Sequence, residues 1–320
     1  MTDRTRHPFR FGALAMTPTP TRGAWTDEAR RIEAAGYATL QVSDHVVRTP
    51  LAPLVALAAA AQVTTTIGLG TLVLDNDFRE PAMLVKEAAT LDALSDGRFE
   101  LGLGAGWLDE DYLLSGITQE RPGVRIAKLR ETVAILRAAF GSNGAPVTVT
   151  GEHYDVRDLP TVPAPVRPGG PRLLLGGGGP KVLRLAASEA DIVGVNLMNT
   201  EGHTGPGAAA SAYADAIDAK IAVVDEAAAA AGRDPERHVM CYWAEVTEDP
   251  EEALRRKVAA LPIPVTVEEI ARSPHCLVGP LGALRERVAE LRERWGFSYF
   301  SVYAADAGSV AALVEATAGT

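Results

Sequence analysis

Three short stretches carry residue types that could do chemistry. The first is Ser43-Asp44-His45, where an acid and an imidazole stand side by side at the end of an alternating strand. Histidine is the side chain best suited to moving protons near neutral pH, so His45 is the catalytic candidate. Taken alone, the pair also fits a plain turn, with Asp44 as a cap and His45 in solvent. The second stretch is "GLGAGW", Gly102 to Trp107, whose glycines permit a ligand to approach the backbone closely. It is not a dinucleotide fingerprint, because the third glycine falls due where Trp107 stands. The third is "GGGGPK", Gly176 to Lys181, four glycines running into a proline-led helix start. Free N–H groups there can cradle an anion and Lys181 can add a charge, although a flexible strand-to-helix turn has the same composition.

Other chemistries lack their residues. None of the six histidines sits in His-Glu-x-x-His, there is no Gly-x-Ser-x-Gly, and the glycine-rich run lacks the Gly-Lys-Ser/Thr of a P-loop. Cys241 and Cys276 make neither a disulfide scaffold nor a metal framework, so no metal is expected. The net charge is −10 and the basic residues are scattered, which leaves no footprint for nucleic acid. The longest apolar run, Leu51 to Ala61, is broken by Pro53 and is shorter than the roughly 20 residues a bilayer requires. The start "MTDRTRHPFRF" has no apolar leader core, and the expectation is a soluble cytoplasmic protein.

The elements that must position these stretches alternate along the chain. Strands are predicted over "FRFGALA", "ATLQVS", "TTIGLGTLV", "RFELGLGAG", "PRLLLGGGG", "DIVGVN", "HVMCYWAEV" and "FSYFSVYA", each followed by a helix. One helix is placed from Thr26 with Asp27 and Glu28 in its first turn, another from Pro81, another over 124–140, an Ala-rich one over 208–231, and the last over 307–317. An insertion, 141–170, carries a predicted hairpin around "TVTGEHYDV". Eight mostly apolar strands alternating with helices predict an α/β fold, a (β/α)8 TIM barrel with an insertion between strands 4 and 5. No composition shift marks a boundary, so residues 1–320 are read as one domain. In such a barrel chemistry sits at the carboxyl ends of the strands, where all three stretches fall.

Together these residues resemble the bacterial luciferase-like superfamily, in detail its branch that uses the deazaflavin coenzyme F420. The resemblance rests on "VSDH", on the block "IGLGTLVLDNDFREPAMLVKEAATLDALSDGRFELGLGAGW", on "RPGVRIAKLRETVAIL" and on "LLLGGGGPKVLRLAASEAD". It implies a deazaflavin beside His45, which would be its proton donor or acceptor, with Asp44 in contact. It implies a non-proline cis peptide between Leu72 and Val73 pressing on the ring, with Asp75, Ala105 and Gly106 as neighbours. Gly178, Gly179, Lys181 and Val182 would hold the phosphodiester.

The pattern departs from the sugar-phosphate dehydrogenases of the family in one place: Trp107 stands where they carry a glutamate base. Their sugar-phosphate-binding basic residues find no counterparts. Trp107, Tyr112 and Trp243 suggest a flatter, apolar or aromatic substrate. The implied activity is hydride transfer between C5 of the deazaflavin and a small organic substrate. The alternative is a monooxygenase using reduced FMN and oxygen, against which Asp44 speaks, since Glu-His is the commoner pair there. A homodimer is implied by analogy with the family.

Overall fold

A computed structural model describes residues 7–17, 20–199, 202, 203, 205–259 and 265–320. The first six residues, which open the stretch read as lacking a leader, lie outside the described residues, as do Pro18 and Thr19 of the loop after the first strand.

The first half of the chain runs β1 (Arg10–Ala15), α1 (Arg22–Ala34), β2 (Thr39–Val42), α2 (Pro53–Ala61), β3 (Gly68–Thr71), a two-residue β4 (Leu74–Asp75), α3 (Pro81–Leu94), β5 (Phe99–Gly104), α4 (Asp109–Ser115) and α5 (Pro122–Gly141). The insertion is the hairpin β6 (Val147–Thr150) and β7 (Asp155–Leu159), paired antiparallel. Then follow β8 (Arg172–Gly177), α6 (Pro180–Glu189), β9 (Ile192–Val195), α7 (Pro206–Ala210), α8 (Ala214–Ala231), β10 (Glu236–Cys241), β11 (Trp243–Val246), α9 (Pro250–Ala259), α10 (Val267–Arg272), β12 (Cys276–Gly279), α11 (Leu281–Trp295), β13 (Phe297–Tyr303) and α12 (Ala307–Thr317).

Eight parallel strands close into a ring in the order β1-β2-β3-β5-β8-β9-β10-β13, β13 returning to β1. They are the eight predicted from the sequence, and the fold is the expected TIM barrel. Each strand alternates between two environments, as the two-residue period requires. In β1, Phe11, Ala13 and Ala15 face outward into the aliphatic core under the helices. Gly12 faces the barrel axis, where an added Cβ would meet Gln41 Oε1 and Ser301 Oγ at 2.7 Å.

The barrel interior is more polar than its sequence suggests. At the amino-terminal ends of the strands, Arg10 Nε donates to Glu236 Oε1 at 3.0 Å and its NH2 to Glu100 Oε2 at 2.8 Å. Arg172 NH2 donates to Glu236 Oε2 at 2.8 Å. Above this layer the Tyr299 hydroxyl donates to Glu100 (3.1 Å), Gln41 Nε2 to Tyr299 (2.9 Å) and Ser301 Oγ to Gln41 (2.6 Å). Every charge in the layer has a partner, which is the condition for burying it.

Three element assignments need correction. Helix α1 starts four residues before Thr26, because Thr21 caps it by accepting from Ala24 N at 3.2 Å, which moves Asp27 and Glu28 out of the first turn. The Ala-rich helix is two helices. Buried Lys220 donates from Nζ to the Ser211 and Asn196 carbonyls, both at 2.7 Å, and Ser211 Oγ accepts from Met198 N, fixing a turn that the Ala-Ser-Ala sequence does not announce. Finally, "HVMCYWAEV" divides at Tyr242. β10 stays in the ring, whereas β11 pairs in parallel with β12, a short strand missed in the sequence.

Candidate active site

The carboxyl ends of the strands surround a cavity of about 1200 Å³. Its wall includes His45 and Asp44 after β2, Leu72, Val73 and Asp75 around β4, Ala105, Gly106 and Trp107 after β5, Gly178, Gly179, Lys181 and Val182 after β8, and Trp243 at the start of β11. All but one of the residues singled out in the sequence are thus brought together. The exception is Tyr112, which is buried behind the wall: an added Cβ at Gly106 would run into the Tyr112 hydroxyl and the Asp75 carboxylate. Tyr242 and Tyr303 supply aromatic wall in its place.

His45 is held on several sides. Its Nδ1 lies 2.6 Å from Oδ2 of Asp111, whose Oδ1 accepts from Val46 N at 2.9 Å. The Trp107 ring meets the imidazole edge to face, with centroids 6.0 Å apart. Asp44 is occupied by the protein: Oδ2 accepts from Arg79 NH1 at 2.5 Å and from Asp75 N at 3.2 Å. Its bond to Arg79 orients the strand end on which His45 stands.

The Leu72–Val73 peptide is cis. Val73 projects toward the neighbouring strands, and the glycines there make room for it. A Cβ at Gly104 would lie 2.9 Å from Val73 Cγ2, and one at Gly176 3.2 Å from Cγ1. A Cβ at Gly102 would collide with the Thr71 carbonyl. At Gly102 and Gly104 the close approach is therefore made by the chain itself, a correction to the ligand approach inferred from sequence.

The second glycine run differs. No side chain caps α6, whose first residues are Pro180, Lys181 and Val182 and whose N-cap is Gly179. The N–H groups of Lys181 and Val182 have no intrahelical partner, and among the described residues no atom lies within 4 Å of a Cβ added at Gly179. Such a helix start is of the kind that suits an anion.

Asp75 adds a titratable group to the wall. Its carboxyl is pushed up to about 7, chiefly by burial and also by the Asp77 and Asp44 carboxylates, against the opposing Asp77 N–H and Tyr112 hydroxyl. Tyr112 in turn accepts from Arg125 NH1 at 3.4 Å, and Arg125 NH1 donates also to the Ala105 carbonyl at 3.2 Å.

The profile of the Luciferase-like monooxygenase family matches residues 5–317. The chain belongs to that family. Among curated relatives of this luciferase-like chain is the F420-dependent glucose-6-phosphate dehydrogenase of Kineococcus radiotolerans, 30% identical over 60% of this chain and 57% of that protein. The chain spans about half the length of the curated relatives it matches. Solved structures of the same fold include an F420-dependent secondary alcohol dehydrogenase in complex with an F420-acetone adduct (TM-score 0.75, 18% identity, 97% of this chain and 98% of that one). Another is the FMN-bound oxygenating constituent of 3,6-diketocamphane monooxygenase from Pseudomonas putida (TM-score 0.70, 16% identity, 98% of each chain).

Three residues of this luciferase-like site were not found by reading the sequence. Asp111 is one of three consecutive acids, Asp109 to Asp111, and only its burial sets it apart. Arg79 and Arg125 sit in polar stretches where a partnered arginine looks like any surface one. None carries a local signal, since each acts across a distance in the chain. Among the described residues, no helix is long and apolar enough to cross a membrane.

Proposed function

We propose that the protein is an F420-dependent oxidoreductase acting on a small, flat, apolar or aromatic substrate. The observation that carries this reading is the presence, on the wall of one cavity, of both the His45 imidazole and the uncapped, glycine-opened start of α6. The residues present fit the cofactor. The free N–H groups of Lys181 and Val182, the open face of Gly179 and the Lys181 ammonium suit its phosphodiester, with Gly178 shaping the turn. Leu72, Val73, Ala105 and Gly106 offer apolar or backbone surface to its ring, beside Asp44 and Asp75. When bound, the deazaflavin supplies hydride chemistry at C5. His45 takes up or gives back the accompanying proton, and Trp107, Trp243, Tyr242 and Tyr303 orient the substrate and exclude water.

Glucose 6-phosphate is the substrate named for the Kineococcus relative. Trp107 speaks against a sugar phosphate here, because an indole offers a donor and an apolar face but no base. In the same reading the protein is cytoplasmic, and by analogy with the family it works as a homodimer.

Titration of the purified protein with oxidised and reduced F420 and with FMN tests the cofactor. Micromolar or tighter binding of F420 is expected, and tight FMN binding without F420 binding overturns the reading in favour of an oxygen-consuming monooxygenase. His45→Ala is expected to lower kcat by roughly 10²- to 10⁴-fold while cofactor affinity is retained, the usual range for loss of a general acid or base. Unchanged turnover in that variant removes His45 from the proton path.

A further inference from the structure

The His45 ring has two nitrogens, and the structure treats them differently. Nδ1 lies 2.6 Å from Asp111 Oδ2. A carboxylate can only accept, so the neutral ring bonded to it carries its proton on Nδ1 and leaves Nε2 with a lone pair. The second Asp111 oxygen is fixed by the Val46 N–H at 2.9 Å, so the carboxylate cannot turn away without losing a main-chain donor. Asp111 is buried, only 3% exposed, and sits in the first turn of α4, where a negative charge suits the helix dipole. The backbone on the His45 side is fixed as well: His45 N donates to Thr49 Oγ1 at 3.2 Å, and that hydroxyl lies 3.0 Å from the His45 carbonyl.

We propose that Asp111 is the positioning residue of the site: it holds the His45 ring and selects its tautomer, so that Nε2 is the atom that exchanges the proton with the substrate. This rests on the reading of His45 as the proton carrier. In the oxidative direction Nε2 takes one proton from the substrate as the imidazole becomes imidazolium, while the hydride leaves the same substrate for the deazaflavin. In the reductive direction both return. Nδ1 keeps its proton throughout.

The test separates tautomer from turnover. Protein labelled with 15N-histidine, free of cofactor, is examined by long-range 1H–15N correlation at a pH where the ring is neutral, with the His45 signals assigned by their loss in His45→Gln. The wild type is expected to show a protonated Nδ1 and an unprotonated Nε2. In Asp111→Asn the carboxamide oxygen still accepts from Val46 N–H, which turns its NH2 toward Nδ1. The proton pattern is then expected to invert, and kcat to fall about 10²-fold or more with F420 affinity within about two-fold of wild type, by the logic of the wrong tautomer in a triad. A wild-type spectrum with the proton on Nε2 overturns the assignment, whatever the cofactor proves to be and whether or not the variant folds. An inverted Asp111→Asn that turns over at the wild-type rate overturns the catalytic consequence. Unchanged turnover in His45→Gln overturns the reading of His45 on which the proposal rests, and the spectrum then decides the tautomer alone.

Discussion

Individual side chains in this site are defined by what they touch. His45 was visible in the sequence because histidine at a barrel mouth has an obvious use, but its partner was not, since Asp111 lies 66 positions away on another element. Asp75 was singled out for its neighbourhood only, and burial gives it a further property. An unfolded aspartate titrates near 3.9, whereas Asp75 in the fold titrates at about 7. Between those values the folded chain retains a proton that the unfolded chain has lost. Stability attributable to Asp75 is therefore present below about pH 4 and lost as pH rises through 7, at up to roughly 1.4 kcal/mol per pH unit. Denaturant unfolding of the cofactor-free protein at pH 5 and pH 8 should show wild type losing more stability than Asp75→Asn. Equal losses would show that the carboxyl ionises in the fold as freely as outside it.

Among the elements, the two glycine-bearing strand ends look alike in sequence and work differently. The glycines of β5 receive Val73 and the Thr71 carbonyl, so they serve packing. The run after β8 mixes both uses, and adjacent positions separate them. A Cβ at Gly178 would run into the Leu197 carbonyl, a backbone atom that cannot swing aside, whereas a Cβ at Gly179 would meet no atom of the described residues within 4 Å. Gly178→Ala is accordingly expected to destabilise the fold by about 1–3 kcal/mol, the range for overpacking. Gly179→Ala should unfold with the wild-type midpoint yet lose cofactor affinity, because its methyl group enters the space assigned to the phosphodiester. Full affinity in Gly179→Ala would move the anion elsewhere on the wall. The hairpin β6–β7 falls where the sequence places one, around "TVTGEHYDV", but its attachment is not legible there: Glu131 of α5 accepts from Glu152 N, His153 N and Tyr154 N at 2.9 to 3.0 Å.

For the whole molecule, closure of the barrel brings four strand beginnings together, and the charges placed there tie them. Glu236 on β10 takes bonds from Arg10 on β1 and Arg172 on β8, and Glu100 on β5 completes the ring. Replacing Glu236 by Ala leaves two partly buried guanidinium groups competing for one carboxylate, and a loss of about 3 kcal/mol is expected, at the lower end of the range for buried pairs because both arginines keep some solvent. Thermal unfolding checks this. A loss within experimental error would mean that the layer tolerates the vacancy by hydrating it.

The sequence alone determined the alternation of eight strands and helices, and therefore the barrel and the end at which the candidate site lies, because those follow from periodicities of two and about 3.6 residues that short segments already display. It also determined the two local devices, a histidine at a strand end and an uncapped glycine-rich helix start, which are complete within a few consecutive residues. Tertiary structure decided the rest. Only closure of the ring shows that Arg10, Glu100, Arg172 and Glu236 are inside, that Tyr112 stands behind Gly106 and off the cavity surface, and that Asp111 alone of three consecutive acids reaches His45. Each of these is a meeting of residues from separate strands or loops, and one stretch of chain carries no record of what packing brings against it.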